Sequence, residues 1–498
     1  MRYILLFLSV VVLNSSTLKL SISSNPSRLN PILSTDSASS MITNQLFNGL
    51  FKYDKDGNIV YDLALSHYFE NNTTLIVKIK PGVLWHDGEP MDAYDILWTY
   101  EKIIDPKIFT PHKTYFEFVK KVEVVDSLTI KVVYKKPYFK ALHIWMMGIL
   151  PRHILKDEKD LMTSKFNKQP IGTGAYKLKS WKTSQDILLV RNDNYFGPIP
   201  KIETISYKFL PDSNTQFFAL KQQSLDIGTL SPLQIDRQID KKFKKNFQIV
   251  EKQSFSYTYM GLNLKNPKFK DIRVRQALDI AIDKKQLIDI LFFGHGKISF
   301  GPFLPNSFAF DDKIKPSKYD PKKAKKLLKQ AGYDSKNPLS FTLITNANNP
   351  TRVYAAQIIQ HQLKKVGIDI SIRVMEWQAF LNTIVSPRNY EAILLGWGLS
   401  LMPDAKPLWH SSSATKGGFN LVYYDNKKVD KLIDQGAKTI DRAKLSKIYK
   451  DIFRQIVNDK PYIFLYIPNS ITVIDKDIQY IEPSFTGIWH NQHEWIKP

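Results

Sequence analysis

Residues 353–374, VYAAQIIQHQLKKVGIDISIRV, predict a helix followed directly by a strand. In the first part, apolar side chains recur at helical spacing: Ala355, Ile359, Leu363 and Val366. Gly367 stands where the left-handed cap that ends a helix belongs. In the second part, apolar residues alternate with polar ones, as in a strand with one buried face: Ile368, Ile370, Ile372 and Val374. The stretch is typical of an α/β fold.

Similar units lie on both sides of this stretch. Asp320 is a suitable N-cap, Pro321 fits the first position of a helix, and Gly332 ends the helical pattern. Two further helical patterns between residues 429 and 456 precede a buried strand predicted at 462–467. We therefore expect a mixed α/β architecture with several lobes, for which 498 residues are sufficient.

The segment 50–170 has a different pattern. Short strand-like runs at 75–80 and 128–134 lie on either side of a helical pattern at 93–104. We interpret this segment as a smaller α+β subdomain.

The N-terminus has the pattern of a secretory signal peptide. Arg2 precedes an apolar run at residues 4–13, and small polar residues follow up to a predicted cleavage after Ser16. This run is too short for a stable membrane anchor. The chain contains no cysteine, which excludes disulfides, thiolate metal sites and a lipidated N-terminal cysteine. We predict an exported periplasmic protein that is not a lipoprotein.

The net charge of +23 is the most unusual feature of the composition. Such an excess occurs in proteins that bind nucleic acids or acidic surfaces. Here the lysines are spread along the chain, and clusters such as 241–245 and 322–326 are typical of solvated helix faces or turns. Together with the signal peptide, this distribution favours a protein without a nucleic-acid partner.

The motifs of common enzymes are missing or incomplete. His86 and Asp87 resemble a catalytic pair, but they accompany no nucleophile and are better interpreted as part of a turn before a helix. Residues 294–297 lack the flanking residues of a phosphate-binding loop. No Gly-x-Ser-x-Gly elbow and no His/Glu zinc spacing occurs. We predict a protein that is not an enzyme and that needs no cofactor or metal centre.

A series of motifs along nearly the whole chain resembles the family 5 extracellular solute-binding proteins, which bind dipeptides, oligopeptides or nickel chelates. The motifs occur in the family's order: SRLNP at 27–31, LFNGL at 46–50, KPGVLWHDGEP at 80–90, IGTGAYKL at 171–178, DIRVRQAL at 271–278, YDP at 319–321 and Gly396–Trp397. Each motif alone is weak, but their common order is specific.

The resemblance implies an α/β fold in the form of a two-lobe periplasmic-binding-protein clamp (type II) with an extra α+β subdomain. After a signal peptide at 1–16, the expected division is: lobe I at 17–49, 171–257 and 475–498, the extra subdomain at 50–170, and lobe II at 258–474. The ligand would lie between the lobes and be enclosed by hinge closure. The implied partner is an ABC permease complex in the inner membrane, served by a monomeric binding protein.

Three candidate ligand contacts follow from the resemblance. Dipeptide-binding relatives use an arginine near the position of Arg352, and a guanidinium can hold a peptide carboxylate with two hydrogen bonds. Trp397 follows an apolar strand and is expected to stack on the ligand or, alternatively, to pack in the core. The relatives place an aspartate where this chain has Met402, so we expect Asp404 to replace it or the ammonium contact to be missing.

Three more residues complete the predicted site. Trp409 and Tyr423 are candidates for the same pocket, with core or surface positions as the alternative. His490 lies in a polar C-terminal tail, where it is either a surface histidine or an imidazole that reaches the cleft. Imidazole is a common nickel ligand. The two ligand hypotheses are therefore a small peptide and a nickel chelate such as nickel–histidine.

Overall fold

The computed structural model describes residues 16–34, 36–110, 112–305, 307–415 and 418–498. The predicted signal peptide lies outside this part of the chain except for Ser16. None of the helices in these ranges combines the length and the apolar character that crossing a membrane requires.

The strands of the described residues are, in chain order: β1 Thr17–Ile22, β2 Phe51–Tyr53, β3 Ile59–Tyr61, β4 Ala64–Asn71, β5 Thr74–Ile79, β6 Val119–Asp126, β7 Thr129–Tyr134, β8 Tyr176–Lys182, β9 Asp186–Arg191, β10 Thr204–Phe209, β11 Ile227–Leu230, β12 Phe247–Gln253, β13 Ser256–Leu262, β14 Gly296–Ile298, β15 Leu339–Asn346, β16 Ile368–Met375, β17 Ala392–Gly398 and β18 Tyr462–Asp475.

The helices are, in the same order: α1 Ser37–Leu46, α2 Ala93–Ile104, α3 Arg152–Leu155, α4 Ser213–Lys221, α5 Lys241–Asn246, α6 Ile272–Ala281, α7 Lys284–Phe292, α8 Pro321–Gln330, α9 Pro350–Lys364, α10 Trp377–Phe380, α11 Lys406–Trp409, α12 Lys427–Ala437 and α13 Arg442–Asp459. Helices and strands alternate through much of the chain, which confirms the predicted α/β class.

The predicted helix–strand unit at 353–374 is present as α9 and β16. Gly367 adopts a positive φ of 85° between them, as a left-handed cap requires. The side chain of Asp320 caps α8 by accepting a hydrogen bond from the backbone N–H of Lys323 at 2.8 Å. The capping residues and apolar spacing in the sequence were therefore sufficient to predict these two helices.

Two four-stranded sheets lie in the first half of the chain, besides the short pair of β2 and β3. Strands β4, β5, β7 and β6 form an antiparallel sheet on which α2 packs, and this is the α+β unit expected within 50–170. Strands β8, β9 and β10 form a second sheet, and β1 joins its edge in parallel to β10. The N-terminal strand therefore pairs with a segment nearly two hundred residues away, as the register of Thr17 with Thr204 shows.

The largest sheet has the order β16–β15–β17–β13–β18–β11, and β12 and β14 also pair with β18. Strand β15 runs parallel to both β16 and β17. Strand β17 is buried on both faces: Ile393 and Leu395 belong to one apolar cluster, and Ala392 and Leu394 belong to another. A continuous apolar run is the expected sequence for a strand with two buried faces.

Strand β18 is longer than the sequence predicted, because it continues through Pro468 and changes partners there. Up to Pro468 it pairs with β13 and β14, and from Asn469 onward it pairs with β12 and β11. The segment that joins β12 to β13 runs beside it, since the N–H of Ser254 donates to the carbonyl of Pro468 at 3.1 Å. We propose these two neighbouring segments as the hinge, and the predicted lobe boundaries stay a prediction.

A buried ion triad joins α6, α7 and the end of α13, where Lys460 is the C-cap. The carboxylate of Asp279 accepts hydrogen bonds from Lys284 and, at 2.5 Å, from Lys460, and the side chains of Asp279 and Lys284 are only 6% and 3% exposed. Burial works against ionisation, but the two lysine charges outweigh it and hold the pKa of Asp279 well below its usual range. The triad therefore contributes to folding only while Asp279 is ionised.

We expect Asp279→Asn to lower the free energy of unfolding by about 3–5 kcal/mol, because it leaves a buried lysine without its counter-charge. Urea denaturation at neutral pH measures the loss. Asp289→Asn is the matched control. It removes the carboxylate of the exposed ion pair between Asp289 and Lys285, so it should change the free energy of unfolding little.

The ionisation of Asp279 should also make the stability of the protein depend on pH. Because the folded-state pKa of Asp279 is depressed, its contribution is complete above the unfolded carboxyl pKa and is lost as the pH falls below it. The stability difference between wild type and Asp279→Asn should therefore shrink on acidification. A difference that stays constant down to pH 3 would contradict this assignment.

Candidate functional site

A cavity of about 270 Å³ lies at the end of β17. One wall is formed by β17 and the residues that follow it, and the opposite wall is formed by residues of the α+β unit and the C-terminal tail. The side chains that matter below are Trp397, Asp404, Trp409 and Phe419 on the first wall, and Tyr115, Lys140, His143 and Phe485 on the second. The cavity therefore lies between segments that the sequence assigned to different lobes.

Trp397 lines this cavity from the next-to-last residue of strand β17. Its indole stacks on Tyr259 of β13, with ring centroids 6.3 Å apart and planes at 9°. The indole Nε1–H donates to the hydroxyl of Tyr462 at 3.3 Å, and Phe419 approaches edge-on. The strand pairing of β13, β17 and β18 thus holds a half-buried aromatic surface at the cavity wall.

Trp409 and Tyr423 differ in their positions. Trp409 is fully buried against Tyr462, and it forms the floor of the cavity rather than an exposed contact. Tyr423 does not line this cavity, and its ring lies beneath the ammonium group of Lys265 at 3.9 Å. Of the predicted aromatic contacts, the structure brings Trp397 and Trp409 to the cavity and leaves Tyr423 outside it.

Arg352 lies in the first turn of α9, close to Gly396 but not in the cavity lining. Its Nη1 donates to Asn346 at 3.0 Å, while its Nε is buried and has no hydrogen-bond partner among the described residues. A Cβ on Gly396 would lie 2.9 Å from Nη2 of Arg352, so the guanidinium occupies the space that a side chain would fill. Since neighbouring side chains of a strand point to opposite faces, Arg352 and Trp397 lie on opposite faces of β17.

The guanidinium of Arg352 has no carboxylate within ion-pair distance among the described residues. Burial lowers its pKa from the usual value, and the nearby Tyr466 and Tyr259 oppose this effect. An arginine side chain nevertheless stays protonated in a protein. Arg352 is therefore a half-buried cation without a protein counter-ion at the end of the central sheet.

Asp404 lines the cavity, but its carboxylate is already engaged. Its Oδ2 accepts from Nζ of Lys140 at 2.6 Å, and its Oδ1 accepts from the backbone N–H of Lys406 at 3.1 Å. Asp404 is thus in the pocket where the sequence placed it, and Lys140 of the α+β unit supplies a cation there. The position of Lys140 beside Asp404 was not predictable from the sequence, because no local signal connects residue 140 with residue 404.

A second cavity of about 800 Å³ adjoins the first, and His143 lines both. Tyr53 and His143 are joined by a hydrogen bond of 2.8 Å between the phenol oxygen and Nδ1. Burial is the main reason that the pKa of His143 falls to about 4 and that of Tyr53 rises to about 12. Both groups are neutral at physiological pH, so this pair adds no charge to the cavity linings.

His490 lines the second cavity together with His493. The side chain of His490 is only 13% exposed, and both of its ring nitrogens are buried without a hydrogen-bond partner among the described residues. Glu482 lies 3.7 Å from Nε2. His490 is therefore not the surface histidine of the first alternative, although no group of three or more metal-ligating side chains occurs in the described ranges.

His86 has a structural role that agrees with its interpretation as part of a turn. The backbone N–H of Gly172 donates to its Nδ1 at 3.1 Å, and its Nε2–H donates to the carbonyl of Gly174 at 3.0 Å. Burial lowers the pKa of His86 to about 4, and Asp87 instead contacts His153 at 2.8 Å. The neutral ring of His86 therefore connects two loops.

Comparison with known proteins places this arrangement in a family. A sequence model of the bacterial extracellular solute-binding proteins, family 5 Middle, matches residues 58–419. The chain belongs to family 5 of the bacterial extracellular solute-binding proteins. The oligopeptide-binding protein AppA of Bacillus subtilis (strain 168) is 36% identical over 473 residues, which are 91% of this chain and 86% of AppA.

Solved structures of family 5 proteins share the fold. AppA of Bacillus subtilis in complex with a nonapeptide aligns at a TM-score of 0.78 with 32% identity, over 97% of this chain and 99% of AppA. NikZ of Campylobacter jejuni in complex with Ni(L-His) aligns at 0.79 with 29% identity, over 97% of this chain and all of NikZ. The fold is therefore the predicted two-lobe clamp, and the relatives are solute-binding proteins rather than enzymes.

The close packing around Gly396 can be tested by adding a methyl group there. An added methyl group would lie 2.9 Å from both Nη2 of Arg352 and the carbonyl oxygen of Tyr257. We expect Gly396→Ala to lower the free energy of unfolding by about 1–3 kcal/mol through overpacking. Gly398→Ala on the same strand meets no atom within 4 Å and is the control. Equal stability of the two variants in urea would show that Gly396 is not under this constraint.

Proposed function

We propose that this protein captures small peptides between its lobes and delivers them to the membrane permease of an ABC importer. The observation that carries the proposal is the aromatic cavity between β17 and the α+β unit, together with the larger cavity that shares His143 with it. The similarity of the whole chain to AppA, an oligopeptide-binding protein solved in complex with a nonapeptide, supports a peptide ligand.

The two cavities suit an extended, variable ligand. Aromatic walls at Trp397 and Phe419 provide apolar contact without demanding one side-chain shape. The larger cavity has a more polar lining that includes Asp62, Tyr195 and Gln492, where water can bridge to side chains of different lengths. Such pockets hold a ligand chiefly by enclosure and backbone hydrogen bonds.

We infer that the mature protein is exported by the N-terminal signal peptide, remains in the periplasm without a lipid anchor, and acts as a monomer. The absence of cysteine supports the missing anchor. The membership in an extracellular solute-binding family supports the export.

Arg352 is the proposed partner of the peptide carboxylate, because it is a half-buried cation without a carboxylate partner among the described residues. It lies behind Gly396 and outside the linings of both cavities, so the proposal places the carboxylate end of the peptide beyond them. We expect Arg352→Ala to weaken binding of a free-acid peptide by about 2–5 kcal/mol, since one partner of a buried charge pair is removed. A peptide amidated at its C-terminus should bind wild type and variant alike. Isothermal calorimetry with both peptides measures the difference.

The conservative variant sharpens this test. Arg352→Lys retains the charge but loses the planar pair of donors, so it should fall between wild type and Arg352→Ala. Equal losses for the free-acid and the amidated peptide would show that Arg352 acts through packing and does not hold the carboxylate.

A second candidate ligand is a nickel chelate such as nickel–histidine. The buried, unpartnered ring nitrogens of His490 favour it, because a neutral imidazole offers a lone pair to nickel. NikZ, which was solved with Ni(L-His), resembles this chain over nearly its whole length. Under this hypothesis His490 completes a coordination sphere that the chelating histidine mostly supplies.

His490→Ala separates the two candidates. If the ligand is the chelate, the variant should lose nickel–histidine binding by about tenfold or more, because it removes the imidazole donor to the metal. His493→Ala is the matched control, because its ring is more exposed, at 37%. If the ligand is a peptide, both variants should bind it as wild type does in native mass spectrometry.

A further inference from the structure

The contact between Lys140 and Asp404 crosses the cleft. Lys140 follows β7 in the α+β unit, whereas Asp404 follows β17 in the large sheet. The two side chains are 9% and 30% exposed, and their atoms are 2.6 Å apart. The carboxylate at the cavity wall is therefore neutralised by a residue of the chain itself, from the opposite side.

The ammonium group of Lys140 is held in a built site. It lies 5.4 Å from the ring centroid of Phe139 and 6.0 Å from that of Tyr115, distances at which aromatic faces attract a cation. The backbone of the same loop is anchored to the large sheet's side, because the N–H of Phe139 approaches the carbonyl of Ala437 at 3.4 Å. The position of the cation is thus fixed by packing rather than by one surface ion pair.

We propose that Lys140 is a specificity-determining residue that occupies Asp404, so that the protein selects ligands without a positive charge at this end of the cavity. This inference rests on the proposed function as a binder of small solutes, and it identifies the ligand class further. A peptide whose amino end is blocked or points away fits it, and so does a chelate whose amine is bound to metal.

The charges around the cleft support this selection. Lys140 and Asp404 pair with each other, and burial keeps Tyr53 and His143 neutral. A ligand ammonium at Asp404 would bring a second cation next to Lys140 or would have to displace it from its aromatic neighbours. Either process has a cost that a ligand without this ammonium avoids.

Three variants and three probes test the proposal. Lys140→Met keeps the aliphatic stem and removes the charge, Asp404→Asn removes the opposite charge, and the double variant removes both. The probes are a randomised nonapeptide pool with free amino ends, the same pool after N-acetylation, and nickel(II)–L-histidine. Native mass spectrometry measures occupancy, and thermal unfolding checks that each variant folds.

We expect wild type to bind the N-acetylated pool at least as tightly as the free-amine pool, because Lys140 already occupies Asp404. Lys140→Met should favour the free-amine pool by about tenfold or more, because Asp404 is then a buried carboxylate without a cation. The double variant should lose this preference again. A wild-type preference for free amines that Lys140→Met leaves unchanged would overturn the proposal, as would an equal loss of both pools, which indicates a purely structural bridge.

The chelate probe separates this inference from the peptide proposal. If neither pool binds to wild type but nickel–histidine does, the peptide proposal fails. Since nickel(II) with one histidinate carries a net positive charge, Lys140→Met should then strengthen nickel–histidine binding by about tenfold, and the added Asp404→Asn should reverse this gain. Unchanged chelate binding in Lys140→Met would overturn the role of Lys140 in that case too.

Discussion

Strand β18 connects the parts of the molecule on which the site depends. Over its fourteen residues it pairs first with β13 and β14 and then, beyond Pro468, with β12 and β11. Proline lacks the N–H that a continuous ladder needs, so a change of partners at this residue sacrifices no hydrogen bond from it. Tyr462, near the start of this strand, packs on Tyr259 and accepts the hydrogen bond from Trp397. The strand that spans the proposed hinge therefore also positions the aromatic wall of the cavity.

The charges of the cleft come from segments that lie far apart in the chain. Asp404 and Lys140 meet across the cavity, and Arg352 stands behind β17 in space that Gly396 leaves free. An isolated carboxylate in such a place would be costly, since burial disfavours its charged form. The pairing with Lys140 removes that cost and at the same time decides which ligand charges are acceptable at this end. Ligand selection and closed-state stability are thus linked through one contact.

The large net charge of the chain has no visible counterpart in this cleft. Helix α8 is rich in lysine, and its apolar positions Ala324 and Leu328 are buried while the lysines face outward. Such a helix has the solvated face expected from the sequence, and none of its residues lines the cavity at the end of β17.

The sequence by itself determined the elements whose signals are local. The α9–β16 unit, the caps at Asp320 and Gly367, the α+β unit and the family membership all follow from periodicity, capping residues and ordered motifs. The tertiary structure alone decided which side chains meet: Lys140 with Asp404, Arg352 over Gly396, and His490 beside the cavity instead of at the surface. It also placed Tyr423 outside the cavity. The physical reason is that periodicity and capping act over a few residues, whereas these contacts arise when distant segments pack together and bury shared charge.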